Sequence, residues 1–476
     1  MSQIWRYQFF SHIFGAGSSS IVTSFVLRYH ADQIKDMFPE NVWKTIRSKI
    51  YVDDAAGGGR TVASALELKQ NLKEAMRLGG FQLGKWQSNA PELVDDEEGD
   101  AIKAISDATE ENVTKVLGVS WDSKNDNFVF QFDKEKINQA VNTPRQLVSV
   151  QASIYDPLGF LSPFCLLGRK LLQQATSGSP GWDSKLKPVV KEEFATWAKS
   201  IILLINRKIP RCFTRADLGE PIIIECHIFV DAAPGGFGAV GYRREVYSNG
   251  EIFITIITSR SHVVPLNPAK ASHHNSIPRL ELVAAEKGIQ LHNFINNAVE
   301  VPIQRTIMWS DSEVVLKQIF DEAKVYGPFI NNRLSKIHAV TSPEDWRYVE
   351  GPRNPADHCS RGIRPEEEEK WLTFHRGPDF LYKGEEEWPI TTIPRHKKPA
   401  TMIFATHVIP TPTEEPLEGC GFAKLVVDID GWYRKVMRVA SLKKIIAFWR
   451  KYRRQNHQAT NQWTATSTGN LRITIA

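Results

Sequence analysis

Apolar and polar positions recur with different periods along the chain, and the period marks its parts. In SSSIVTSFVLRYHADQIKDMF, Ile21, Phe25, Val26 and Leu27 fall at helical spacing behind a serine-rich entry. SKIYVDD predicts a short strand ending in paired carboxylates, followed by the small, flexible AAGGG. TVASALELKQNLKEAMRLGG predicts an amphipathic helix: Ala65, Leu68, Leu72, Ala75 and Met76 share one stripe, and Gly79 and Gly80 stop it. The acidic run at 95–100 predicts a solvated loop. KVLGVSWDSKNDNFVFQF alternates as a hairpin with Asp126 and Asn127 near its turn.

From 143 to 205 the spacing is helical, with Pro144 starting one segment, YDPLGFLSP interrupting and VKEEFATWAKSIILLI resuming. From about 222 the texture turns β-rich: PIIIECHIFVDAA and GGFGAVGYRREVYSNGEIFITIITSRS read as successive strands. IPRLELVAAEKGIQLHNFI predicts a helix with Pro278 in its first turn. RTIMWSDSEVVLKQIF predicts a strand feeding a helix, DWRYVEG another strand, and NPADHCSRG the opening of a short helix. That order predicts an α/β arrangement around a mixed sheet. Beyond about 364, a charge run and recurrent prolines predict a linker. WYRKVMRVASLKKIIAFWRKYRRQNH then reads as a basic amphipathic helix, with Val436, Val439, Ile446 and Trp449 on one side.

A length of 476 residues accommodates several domains, and 42% hydrophobic residues is an ordinary globular content. The net charge of +5 suits a polyanionic partner without selecting one. Cys165, Cys212, Cys226, Cys359 and Cys420 form no C-x-x-C pair. This argues against a disulfide framework or a cysteine zinc site and fits a reducing, intracellular setting, cytoplasm and nucleus undivided. No apolar run approaches ~20 residues, which argues against a membrane span. The start, MSQIWRYQFF, has no secretory layout and reads as the interior of a domain.

Candidate chemistry lies in the acids. Asp53 and Asp54 stand side by side after an apolar run, either as the polar tip of a β-hairpin or as ligands of divalent metal. Further on, Asp231 ends the apolar run IFVD, Glu281 sits on a helix, Asp311 ends TIMWSD, and Asp357 opens the helix in NPADHCSRG. Taken singly, an Asp at a strand end is a turn or cap residue and Glu281 a solvated helix residue. Together they are carboxylates from separate elements that a mixed sheet can bring to one edge. Clustered carboxylates repel unless cations neutralise them. Two Mg²⁺ ions do so with oxygen ligands alone and suit phosphoryl displacement.

FVDAA, PRLELVAA, WSDSEVVL and NPADHCSRG, in that order, resemble the ribonuclease H domain of retroelement polyproteins. FGAGSSS, YVDD and FQLGKWQSN resemble successive palm motifs of a reverse transcriptase. LGVSWD, YDPLGFLSP and GPFINNRLSKI narrow the resemblance to the BEL/Pao class of long-terminal-repeat retrotransposons. The likeness covers about residues 1–375 and continues faintly to about 455. It implies a multidomain α/β and α+β chain: a partial reverse-transcriptase palm at 1–100, a helical thumb- or connection-like region at 101–221, a ribonuclease H-like mixed sheet with flanking helices at 222–364, and a linker with a truncated pre-integrase segment carrying the C-terminal basic helix at 365–476.

Carried over position by position, the resemblance makes Asp53 and Asp54 the paired polymerase carboxylates. Gly15, Ser18 and Ser19 match the segment that approaches nucleotide and template; Lys85 and Trp86 match the segment beside the primer. Asp231, Glu281, Asp311 and Asp357 match the nuclease ligands of two Mg²⁺ ions. The implied substrate is the RNA strand of an RNA–DNA hybrid, read through phosphates and 2′-hydroxyls. Other implied partners are the remaining domains of a polyprotein, with no membrane.

The palm site of the family needs a third carboxylate on a strand ahead of FGAGSSS, which this sequence lacks, and Ser20 stands where the family usually has proline. No autonomous DNA synthesis is therefore expected. The sequence holds no Asp-Thr/Ser-Gly loop, and His407 and Cys420 lack zinc-site spacing, so no protease or integrase site is expected. Lys134, Lys136, Arg169, Lys170 and RKYRRQ are the candidate phosphate contacts. Two readings remain: a Mg²⁺-dependent nuclease fragment, or a catalytically decayed nucleic-acid-binding or interaction protein derived from the element.

Overall fold

The computed structural model describes residues 19–51, 54–84, 86–94, 113–177, 181–266, 276–299 and 302–395. The chain divides into one compact unit, 1–399 with 473–476, and another at 400–472. The second unit, and with it the expected C-terminal basic helix, lies outside the described residues.

The first described part packs helices α1 (Ser19–Ile34), α2 (Glu40–Ser48) and α3 (Val62–Leu78) around Leu27, Ala31, Ile34, Val42, Ile46, Leu68, Leu72, Ala75 and Met76. The stripe expected for α3 is the buried one. That of α1 is half so: Leu27 is buried with Thr23, Ala31 and Ile34 and Val26 packs on the same core, while Ile21 and Phe25 are exposed. Local spacing admitted two helical faces there, and the partner helices chose the other. Strands β1 (Ile50–Tyr51) and β2 (Asp54–Ala55) pair as a minimal hairpin, Tyr51 opposite Asp54.

Strands β3 (Val113–Val116), β4 (Val119–Asp122), β5 (Asn127–Val129) and β6 (Lys208–Pro210) form an antiparallel sheet in that order. The turn between β3 and β4 holds Leu117 at φ 51° and Gly118 at φ 81°, the mirror-image geometry of a tight hairpin. Asp126, in the expected turn after β4, adopts φ 52°; its carboxylate accepts hydrogen bonds from Trp121 and Arg211. Between β5 and β6 run helices α4 (Lys134–Asn138), α5 (Pro144–Ala152), α6 (Ser162–Thr176) and α7 (Pro188–Ser200). YDPLGFLSP, which separates α5 from α6, is a folded turn. Asp156 accepts from the amides of Phe160 and Leu161 at 2.9 and 2.8 Å, and burial pushes its carboxyl up to about 6.

The largest sheet comprises β7 (Pro221–Ala233), β8 (Gly236–Tyr247), β9 (Ile252–Val263), β10 (Arg305–Ser310) and β11 (Trp346–Tyr348). Its spatial order is β11-β10-β7-β8-β9. β7, β8 and β9 pair antiparallel as a meander; β10 joins parallel to β7, and β11 parallel to β10. The parallel joins require crossovers. These are made by α8 (Ile277–Ala298) before β10, and by α9 (Glu313–Phe320) and α10 (Pro328–His338) before β11. The chain continues into α11 (Ala356–Arg361) and α12 (Glu368–Arg376).

Strand residues alternate between faces, and both faces of this sheet are covered. Cys226, Ile228, Val230, Ala239 and Met308 point into a core with α8, α9 and α10. Phe229, Val240, Tyr242, Ile307 and Trp309 point into a second core with α5, α6 and α7. Gly288 lets α8 lie close, since a Cβ there would stand 2.5 Å from Val230. The loop before α6 caps the outer edge: Leu158 O accepts from Ser259 N at 3.0 Å.

The stretch from 365, expected as a linker, corrects the sequence reading as far as Trp388. Trp371, Phe374, Phe380, Leu381 and Trp388 complete the second core. Their large apolar surfaces outweigh the neighbouring charge run. Trp388 meets Trp309 and His227 at ring distances of 5.9 and 5.1 Å, beneath the guanidinium groups of Arg244, Arg305 and Arg347. Replacing Trp388 by Ala is expected to lower stability by about 3–5 kcal/mol, measured as a shift of the urea midpoint. A loss below about 1 kcal/mol would mean that this segment is not part of the core.

Candidate active site

The four acids singled out from 222 to 364 come from four elements that meet at one end of the large sheet. Asp231 lies inside β7, opposite Gly238 of β8, which in turn lies opposite Ser261 of β9. On the other side, Val230 pairs with Ser310, the last residue of β10. Asp311 therefore leaves a parallel neighbour at the level of Asp231, about 4.8 Å away across the sheet. Glu281 is in the first turns of α8 and Asp357 in the first turn of α11.

Helix α11 reaches this row because β8 lacks side chains there. A Cβ on Gly236 would stand 2.6 Å from Ser360 O, and one on Gly238 would stand 2.6 Å from Cys359 Cβ. Thus seated, Ser360 Oγ donates to Asp231 Oδ2 and lies 3.0 Å from Asp357 O. Asn354, buried just before α11, donates to Val230 O at 3.0 Å and also hydrogen-bonds Asp311. Ser312 caps α9 by accepting from Val315 N at 3.2 Å while its hydroxyl donates to Glu281 Oε2 at 2.6 Å. Arg361 Nε donates to Asp357 Oδ1, one helical turn away.

The electrostatics record the convergence. Asp311 is pushed up to about 7, first by burial, then by the charges of Asp231 and Glu281. Asp231 is raised by burial and by Asp357, against the hydrogen bond from Ser360. Glu281 is raised by burial and by Asp231, against the hydrogen bond from Ser312. Each of the four acids acts on another or is acted on by one, so the four form one electrostatic group.

Among the described residues, no three His, Cys, Asp or Glu side chains stand as a preformed ion-coordinating group. The reason is visible in the bonds. Three of the carboxylates are turned onto protein donors: Asp231 onto Ser360, Glu281 onto Ser312, Asp357 onto Arg361. The donor set is nevertheless all carboxylate, half-buried and mutually repelling, which is the chemistry that Mg²⁺ rather than Zn²⁺ fits.

The other expected residues fare differently. Gly15, Ser18, Asp53 and Lys85 lie outside the described residues. Ser19 is the first residue of α1. Asp54 accepts a hydrogen bond from Leu117 N at 3.0 Å and so supports the strained turn between β3 and β4. Trp86 packs on the first core, with the ammonium groups of Lys69 and Lys73 over its ring at 5.2 and 5.6 Å. Arg169 and Lys170, expected as phosphate contacts, are tethers: Arg169 donates to Ser261 O at 2.7 Å and Lys170 to Arg361 O at 3.1 Å.

Sequence reasoning missed Ser312, Ser360, Asn354 and Arg361. Ser312 had a readable signal, a Ser at the N-cap position right after a candidate acid. Ser360 and Asn354 had none, since both act through the approach of α11 to β8.

Residues 143–312 match the family described as Pao retrotransposon-like RNaseH-like domain. The resemblance to Pao-type elements holds over that stretch, which contains Asp231, Glu281 and Asp311; Asp357 and the palm-like residues lie outside it. That stretch is thus similar to RNase H-like domains of retrotransposon type. No curated protein matches the sequence. Among solved structures, the chain is similar to the N-terminal RNase H domain from Mycobacterium tuberculosis fused to maltose-binding protein, with 14% identity over 29% of this chain and 91% of that one at a TM-score of 0.20. It is similar to RNase H1 from Halobacterium salinarum, with 13% identity over 29% and 92% at 0.20. It is also similar to the foamy viral protease-reverse transcriptase dRH in complex with double-stranded DNA, with 15% identity over 68% of this chain and 48% of that one at 0.37.

Raised carboxyls stabilise the fold while protonated. The contribution of Asp311 is complete below about pH 4 and is lost as the pH rises through its folded value of about 7. At about 1.4 kcal/mol per pH unit of displacement, the metal-free chain is expected to lose a few kcal/mol between pH 4 and pH 8. Asp311→Asn is expected to raise the thermal midpoint at pH 8 and to flatten this decline. A midpoint at pH 8 unchanged or lowered by Asp311→Asn would contradict the repulsion.

Proposed function

We propose that the chain is a retroelement-derived nuclease fragment that hydrolyses the RNA strand of an RNA–DNA hybrid. The single observation that supports this is the placement of Asp231, Glu281, Asp311 and Asp357, from separate elements, at one end of the sheet. In this reading the four carboxylates hold two Mg²⁺ ions, which when bound supply a lowered water pKa and charge stabilisation at the phosphate.

The residues around them do the positioning. Ser360 fixes the rotamer of Asp231, Ser312 that of Glu281, and Asn354 ties the entry of α11 to the backbone of β7. Asp311, raised first by burial and then by the charges of Asp231 and Glu281, would be held in its ionised form if the site contained a cation. Recognition of the hybrid is expected to run through phosphates and 2′-hydroxyls, with little base preference. The palm-like segment at 1–100 enters the proposal as a remnant of an RNA-directed DNA polymerase, with Asp53 and Asp54 as its paired carboxylates.

The engagement of three acids by protein donors favours a second reading, a decayed site that retains only nucleic-acid binding. Cleavage of an end-labelled RNA–DNA hybrid separates the two. The nuclease reading predicts Mg²⁺-dependent cleavage that Asp231→Asn reduces by about a thousandfold or more. Hybrid affinity should stay within about threefold. No cleavage by the unaltered chain, or cleavage that survives Asp231→Asn, contradicts the proposal.

A further inference from the structure

Asp357 differs from the other acids in its partner. Asp231 and Glu281 are held by neutral hydroxyls, whereas Asp357 is held by a full positive charge. The pair is an i,i+4 contact on α11 with the acid on the N-terminal side, the favourable polarity on a helix. Arg361 belongs to the cluster as a whole, because Asp231 and Asp311 act on its charge as well as Asp357.

The backbone beneath Arg361 is fixed. Gly362 follows it at φ 95°, returning its amide to His358 O at 2.9 Å. A Cβ on Gly362 would stand 2.5 Å from Leu167, so α6 and the end of α11 are in close contact. Lys170 of α6 donates to the carbonyl of Arg361 at 3.1 Å. The guanidinium is tied only to Asp357 among the contacts described for it, and 65% of its side chain is exposed against 35% for Asp357. The backbone of Arg361 is thus anchored while its side chain projects toward solvent.

We propose that Arg361 is a built-in counter-ion of the acid cluster: it neutralises Asp357 while no metal ion is present and must leave that carboxylate before Mg²⁺ can be held there. This rests on the nuclease reading of the site and adds a threshold on metal loading to it. The exposure of the pair sets its strength. Ion pairs of this kind shift an equilibrium by roughly two- to fivefold, so a divalent ion shared with neighbouring carboxylates displaces the guanidinium. Arg361 therefore weakens Mg²⁺ binding without preventing it. A nucleic-acid phosphate entering the site offers the released guanidinium a new partner, which couples metal loading to substrate.

The test is calorimetric titration of MgCl₂ into the full chain without nucleic acid, with thermal midpoints recorded for every variant. Arg361→Gln is expected to tighten Mg²⁺ binding by about two- to fivefold, and Arg361→Lys, which keeps the charge, to stay near the unaltered chain. In an Asp357→Asn background, adding Arg361→Gln should change affinity by less than about twofold, because the pair is already gone. Asp311-dependent Mg²⁺ binding that Arg361→Gln leaves unchanged or weakens overturns the role of Arg361 alone. Should Arg361→Gln fail to fold, a loss of affinity in Arg361→Lys as large as that in Asp357→Asn overturns it equally. Absence of any Asp311-dependent binding in the unaltered chain overturns the nuclease reading itself.

Discussion

Carboxylates confined to a small volume repel one another, and a fold holds them together only by supplying donors, cations or protons. Asp231, Glu281, Asp311 and Asp357 are in that position, and the surrounding structure reads as the answer to it. Ser360, Ser312 and Arg361 each satisfy one acid. Asp311 has a neutral amide, Asn354, as its side-chain donor, and burial with the charges of Asp231 and Glu281 pushes it up to about 7. The repulsion is therefore unevenly relieved. What remains is a set of incompletely neutralised carboxylates, and the proposed divalent cations would complete that neutralisation.

Everything else about the sheet serves the placement of these groups. The parallel join of β10 to β7 puts Asp231 and Asp311 at the same level, and β11 extends the sheet beyond β10. Gly236 and Gly238 leave room for α11, whose first turn brings Asp357 and whose last turn brings Ser360 and Arg361. Lys170 and Gly362 then pin the end of α11 to α6. Packing on the opposite side is as demanding: Trp388 beneath three guanidinium groups closes the core on which Phe229 and Trp309 stack. The buried Glu225 beneath them is pushed up by burial but held down to about 2 by His227, Arg305 and Arg244, so this end of the sheet is neutralised within the protein. The acid end is not.

Much of this was legible because it is local. Period-2 runs gave β7, β8 and β9, Pro278 marked the start of α8, and the strand-to-helix step at WSDSEVVL marked β10 and α9. The four acids could be named because each sits at or near an element boundary, where polar residues interrupt an apolar pattern. What depends on tertiary approach was not legible. Ile21 and Phe25 face outward on α1 because helical spacing does not reveal which of two faces has a partner. Residues 365–388 looked like a linker because charge density hid five large apolar side chains that a distant sheet covers. Arg169 and Lys170 looked like phosphate contacts because sequence cannot show that carbonyls of β9 and α11 already take their protons.

The central claim is that the acid cluster shares a pair of divalent cations, and diffraction from crystals soaked in Mn²⁺ tests it most directly. The account predicts two anomalous peaks about 3.5–4 Å apart, bridged by carboxylate oxygens of Asp231, Glu281, Asp311 and Asp357, with the Arg361 guanidinium swung clear of Asp357. Manganese absent from this sheet end, or bound at a single ion touching only one of the four acids, would contradict it.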